Sequence, residues 1–216
     1  MPRPRWFLPT ALLALLTGTI VAGVAILPGL GEAASDAGSA RLHSAEPSQE
    51  RADGVDAAPE VQAQLDYVHA HWDSYNTAEY GVLDDNDCVN FTSQSLVERG
   101  WEMDEEWWTE GTGMDFDYTP AWVSSTAFMN YLDESGRATA LSDEQRSEVK
   151  LGDVAQFDWD NSGDRDHTAV VTAIEGSGDD IQIFYGGHTD DTDFRSVDEA
   201  ITEIHPGASV YYWSIP

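Results

Sequence analysis

The chain has one cysteine, one lysine and only ten basic residues against forty acidic ones, a formal net charge of −30 over 216 residues. A lone cysteine, Cys88, excludes an intrachain disulfide as the device that holds the fold together. The scarcity of cations disfavours binding to nucleic acid or to anionic lipid headgroups. Abundant Asp and Glu with almost no lysine suits solubility at high salt, and suits an ordinary acidic exported protein equally well. No internal repeat occurs. The six histidines are scattered and no HExxH-type spacing is present, so a zinc hydrolase is disfavoured.

A long apolar run occurs only at the start. Residues 1–34 open with Arg3 and Arg5, continue through an apolar stretch from Trp6 to about Leu30, and close on Ala33, Ala34 and Ser35. This is the layout of a signal peptide or membrane anchor, and it predicts a secreted or membrane-anchored, extracytoplasmic protein that meets a membrane only through this segment. Residues 35–58 contain almost no large apolar side chains and read as a disordered acidic linker. One domain is expected over 59–216, as a monomer.

In that domain Val61, Leu65, Val68 and Trp72 recur at helical spacing, predicting a helix over about 60–75. A turn-rich segment then leads to Cys88. Val89, Thr92, Ser93, Leu96 and Val97 trace a second helical stripe, ended by Gly100, so Cys88 starts that helix. Residues 101–122 lack a period and read as a long loop, and Ser124 to Leu132 reads as a helix. Short β-branched and aromatic runs follow at Val154–Trp159, Thr168–Ile174, Ile181–Tyr185 and Val210–Ile215, separated by turn clusters. Helices first and hairpin-linked strands second predict an α+β domain with N-terminal helices packed on an antiparallel sheet.

Most free cysteines are small buried hydrophobes. The position of Cys88 suggests more. Asp87 before it is a good N-cap, and a thiol in the first turn of a helix faces unpaired backbone donors and the positive end of the dipole, which favour the thiolate. A base would have to be a histidine. His43 lies in the linker, His69 and His71 on the opening helix, and His205 in a late loop. His167 opens the strongest strand. His188 closes the next strand after Gly186 and Gly187, so hairpin pairing would bring these two strand ends together.

The stretches Asn86-Asp87-Cys88-Val89-Asn90-Phe91-Thr92-Ser93-Gln94, Trp122 with Ser124-Ser125-Thr126, Gly152-Asp153-Val154-Ala155-Gln156-Phe157-Asp158-Trp159, Asp166-His167-Thr168-Ala169-Val170-Val171-Thr172 and Gly187-His188-Thr189 resemble the putative amidase domain family, which is similar to the NlpC/P60 and CHAP papain-like cysteine peptidases. The resemblance runs in order from about Tyr75 to Asp193. It implies a papain-like, NlpC/P60-type fold and a cysteine-dependent amide-bond hydrolase, with Cys88 as nucleophile, His167 as base and His188 as third member. Asp190 in the same loop is the substitute for His188, and Asp87 shapes the turn before the cysteine. The implied partner is a peptide substrate, plausibly the peptide part of cell-wall peptidoglycan, and no cofactor is required. The rival readings are a catalytically silent wall-binding or scaffolding module of the same fold, and an acyltransferase that delivers the acyl group to an amine.

The loop from Asp158 to Asp166 places oxygen ligands at alternate positions, Asp158, Asp160, Ser162 and Asp164, with Gly163 sixth, in the manner of a calcium loop. Its twelfth position is Ala169 rather than Glu, and no helices flank it. An acidic hairpin turn is the favoured reading. Trp101, Trp107, Trp108 and Trp122 could line a cleft, but core packing is the commoner fate of a tryptophan.

Overall fold

A computed structural model describes residues 57–216. The expected leader, and the expected linker up to residue 56, lie outside the described residues. Among the described residues no helix is long and apolar enough to cross a membrane.

Helix α1, Pro59–His71, begins with a proline at its first helical position, where no hydrogen bond is lost, and buries Leu65, Tyr67 and Val68. It stops short of the expected residue 75, and the carbonyl of its last residue, His71, accepts a hydrogen bond from His188. Helix α2, Cys88–Glu98, is buried from Cys88 through Leu96 although half of those residues are polar. Burial is tolerated because the polar groups are paired. Asn90 donates to the Gly81 carbonyl and accepts from the Trp122 indole, while Gln94 accepts from the Tyr67 phenol. Gly100, at φ 103°, ends the helix region as its position suggested.

The segment expected as one long loop is more ordered than that. It holds a short antiparallel hairpin of β1, Thr109–Glu110, and β2, Asp117–Tyr118, followed by a single helical turn, α3, Pro120–Val123. Pairs this short leave no sequence period. Helix α4, Ser125–Ser135, is capped by the Ser124 hydroxyl and closed by Gly136 in the left-handed region. Trp107 and Trp122 are fully buried, and Trp101 packs against the same core.

The sheet comprises β3, Thr139–Ser142, β4, Val154–Asp158, β5, His167–Glu175, β6, Gln182–Gly187, and β7, Thr192–Ser196; after a short helix, α5, Val197–Glu199, it is completed by β8, Ser209–Ser214. The order is β3-β8-β4-β5-β6-β7, antiparallel throughout. The class is α+β, as expected. The edge strands are short, β3 exposed except at Leu141 and β7 largely polar and half-buried, and the sequence pattern did not show them.

The two faces of the sheet bury different cores. Val154, Val170 and Trp213 face the helices, whereas Ala155, Phe157, Ala169, Val171, Tyr185 and Tyr212 face Leu141, Val149, Val197 and Ala200 on the other side. Burial on both faces explains why β4 and β5 read as continuous runs instead of alternating ones. Arg99, buried just after α2, joins the layers: its guanidinium donates to Gln64 Oε1 and to the carbonyl oxygens of Gly152, Ile215 and Pro216. Replacing Arg99 with Met would leave these acceptors unpaired in the interior. Urea denaturation should show a loss of about 3 kcal/mol of stability.

Candidate active site around Cys88

Cys88 is the first residue of α2 and is 0 % exposed. Asp87 stands at the N-cap but makes no side-chain cap. Its carboxylate reaches further. Oδ1 accepts from the Leu83 amide at 2.8 Å and the Asn90 side chain at 2.8 Å, and Oδ2 meets His188 Nδ1 at 2.6 Å. His188 Nε2 lies 2.8 Å from the carbonyl oxygen of His71. A carbonyl can only accept, so Nε2 carries a proton, and the short contact at Nδ1 holds a second one between His188 and Asp87. The ring is stacked between Tyr75 and Phe91, at centroid distances of 3.7 and 3.8 Å.

This pair shapes the end of the sheet. Pairing of β5 with β6 begins at Val170 opposite Gly186. His188 would continue β6 opposite Thr168, but it turns toward Asp87, which leaves the Thr168 amide without a β6 partner and near enough to Cys88 Sγ to favour its thiolate. The sulfur therefore stands at the gap where β6 leaves β5. The Val89 amide favours the thiolate in the same way, and Ser125 Oγ lies 3.7 Å away.

The direction of the Ser125 bond follows from its neighbours. Trp213 Nε1 donates to Gln156 Oε1, Gln156 Nε2 donates to Thr168 Oγ1 at 3.0 Å, and Thr168 Oγ1 donates to Ser125 Oγ at 2.9 Å. Ser125 Oγ is thereby an acceptor from Thr168, and its own proton is directed at Cys88 Sγ. The thiol proton in turn has the Asn86 side-chain oxygen at 3.6 Å. Gln156, Thr168 and Ser125 were not singled out from the sequence. Their signal is polarity at buried positions of β4, β5 and the start of α4, which is costly unless the groups bond one another.

Burial pushes the Cys88 thiol up from its ordinary pKa, against the lowering effect of Ser125 and of the Thr168 and Val89 amides. The expectation that the helix terminus would favour the thiolate is corrected here. For a fully buried sulfur, loss of hydration outweighs a few partial charges.

His167 opens β5 opposite Phe157, and its ring lies with Phe157, Trp159 and Tyr185. The strand ends carrying His167 and His188 do come together. Their rings do not, because side chains alternate along strands: His188 belongs to the helix side of the sheet and His167 to the other. His188 is therefore bonded to Asp87 and to the backbone of His71, instead of orienting His167, and His167 makes no hydrogen bond to Cys88. On its own face of the sheet His167 lines a pocket of about 110 Å³ with Trp159, Asp166, Tyr185, Thr189, Asp190, Arg195, Ala200, Ile204 and His205. Asp190, not His188, is the carboxylate whose field raises the His167 pKa; burial is the larger effect and pushes it down to about 4. The imidazole is neutral at pH 7. Thr189 connects the pocket to the helix, since its hydroxyl accepts from the Asp87 amide at 3.0 Å.

In the loop from Asp158 to Asp166, the Asp158 carboxylate accepts from the Ser162 and Gly163 amides, and Asp166 accepts from the Trp159 amide at 2.7 Å. Ser162 and Asp164 bond each other. Carboxylate oxygens of Asp158, Asp160 and Asp166 lie within 4.8 Å of one another. This is a hairpin turn closed by its own aspartates, and Asp166 rather than Asp164 joins Asp158 and Asp160 in the cluster.

A family model described as a putative amidase domain matches residues 59–213. The uncharacterized protein YjcM of Bacillus subtilis (strain 168) is 37% identical over 103 residues, which is 44% of this chain and 23% of that protein. The chain thus spans less than a quarter of this relative. No solved structure matches it.

Two measurements check the electrostatics. Alkylation of Cys88 by iodoacetamide should titrate at higher pH than a free cysteine, and Ser125→Ala should move that midpoint higher still, because it removes a donor to the thiolate. His167 is neutral when folded down to about pH 4 but charges near pH 6.5 when unfolded, so its contribution to stability is whole above pH 6.5 and is lost as the pH falls toward 4. His167→Gln should flatten the wild-type loss over that range by about 3 kcal/mol, read as the difference between denaturation curves at pH 7 and pH 4.

Proposed function

The chain belongs to the putative amidase domain family, and from that membership we propose that it hydrolyses amide bonds with Cys88 as the nucleophile. The observation that carries this reading is the placement of the lone sulfur in the first turn of α2, where the Ser125 hydroxyl and the Thr168 and Val89 amides favour its thiolate, in a domain whose strand β5 opens on a neutral imidazole. A neutral histidine is a competent base, and a thiol kept protonated at rest needs one.

In the proposed reaction His167 takes the role the family resemblance gives it: its ring reaches the sulfur by leaving the opposite face of the sheet, and it accepts the thiol proton as Cys88 Sγ bonds to the substrate carbonyl carbon. Amides in the first turn of α2 stabilise the oxyanion. The protonated His167 gives its proton to the departing amine as the C–N bond breaks, leaving a thioester. Water then adds to the thioester, losing a proton to His167, and the acid leaves as Cys88 regains its proton. His188 and Asp87 hold the start of α2 and take no proton in this scheme.

The finer parts of the proposal rest on sequence. The quoted motifs support a papain-like, NlpC/P60-type fold. Arg3, Arg5 and the apolar run to Leu30 support an extracytoplasmic protein, secreted or anchored, and an acidic protein outside the cytoplasm with this domain suits a substrate among cell-wall peptides. A second reading has an observation in its favour: the complete burial of Cys88 suits a binding module that retains the fold without turnover.

Release of free amine from peptide and peptidoglycan-peptide substrates by the full-length chain separates these. Cys88→Ala should reduce turnover by about 1,000-fold or more, and His167→Ala by about 100-fold or more. Activity that survives Cys88→Ala would remove the cysteine mechanism. If the wild type is inactive on every substrate while still binding one, the module reading stands. Adding an amine acceptor and analysing products distinguishes acyl transfer from hydrolysis.

A further inference from the structure

The pocket lined by His167 also holds Arg195. Arg137, Arg146 and Arg165 each have a carboxylate within 4.0 Å, and Arg99 is occupied by carbonyl oxygens. Arg195 has no carboxylate within that distance among the described residues, although acidic residues outnumber basic ones four to one in the chain. It sits on β7 directly opposite Tyr185 of β6, and both line the pocket beside His167 of β5. Three neighbouring strands thus present an imidazole, a phenol and a guanidinium to one small cavity. Trp159 and His205, stacked at 4.1 Å, complete its wall.

Two carboxylates, Asp166 and Asp190, line the cavity as well and oppose an anion there. The Asp166 carboxylate is already engaged by the Trp159 amide. Asp190 is exposed, on the tight turn between β6 and β7, at φ 64°. A guanidinium with free donors next to a phenol and an imidazole suits a carboxylate, which it can bind bidentately. The volume of about 110 Å³ is well below that of a site for a drug-sized ligand and suits one small residue.

We propose that this pocket binds the carboxylate of a single amino-acid residue flanking the amide to be cleaved, with Arg195 as the anchoring group. That the bound residue is part of a substrate rests on the amidase reading above; that a carboxylate binds here does not. The pocket and the sulfur are linked through both strands, since His167 precedes the residue whose amide favours the Cys88 thiolate, and Thr189 holds the amide of Asp87. The favoured substrates are therefore amides of a C-terminal or acidic residue.

The test uses full-length Cys88→Ala protein, so that binding is read without turnover. N-acetylalanine and its neutral isostere N-acetylalaninamide are titrated, followed by NMR shifts of the His167 and His205 rings that line the pocket. The carboxylate should bind at least tenfold more tightly than the amide, Arg195→Gln should abolish the difference, Arg195→Lys should keep part of it, and Asp190→Asn should strengthen carboxylate binding. Equal binding of the two probes, no binding of either, or a preference that survives Arg195→Gln would overturn the proposal. Hydrolysis by the wild type is scored separately, so a carboxylate site without amidase activity and an amidase without a carboxylate site are distinct results.

Discussion

The contact between Asp87 and His188 is the constraint on which the site depends. Both groups are almost fully buried, and each would be costly alone in the interior. Together they fix the turn before α2, since the same carboxylate holds Leu83 and Asn90, and they draw the end of β6 away from β5. That departure frees the Thr168 amide and opens the gap in which Cys88 sits. Removing one partner would strand the other, so damage here would spread to the helix start, the strand end and the sulfur together.

The second organising element is the polar chain from Trp213 through Gln156, Thr168 and Ser125. Each member gives its proton to the next, and the last proton is aimed at sulfur. Such a chain gives the thiol a defined orientation inside a core that would otherwise treat it as a hydrophobe. Polarised in this direction it stabilises negative charge on sulfur, and burial opposes that charge, so the resting thiol is poised short of ionisation.

Much of this was legible in the sequence, and what was not has physical reasons. Cys88 was conspicuous as a lone thiol between a turn-rich segment and a helical stripe. The helices and the four interior strands showed their periods or runs, while β1, β2, β3 and β7 are too short or too polar to do so. Asp87 was placed correctly at a helix start, but its side chain bonds a residue 101 positions away and caps none of the amides of its own helix, and no local pattern reports such a choice. His167 and His188 were correctly brought to neighbouring strand ends. Which face each ring takes depends on a register difference of one residue, which spacing alone leaves open. Arg195 carried no signal, because an arginine in a polar edge strand looks like any surface cation until its neighbours are known.

The position of β8 has a consequence for how the molecule comes into being. It is the last strand in the sequence, yet it lies between β3 and β4, and it carries the Trp213 indole that starts the chain leading to Ser125. A polypeptide emerging N-terminus first, from a ribosome or through a translocation channel, can pair β4 through β7 early but must leave β3 waiting. The orientation of the thiol is thus among the last features to be acquired, which ties chemical competence to completion of the fold.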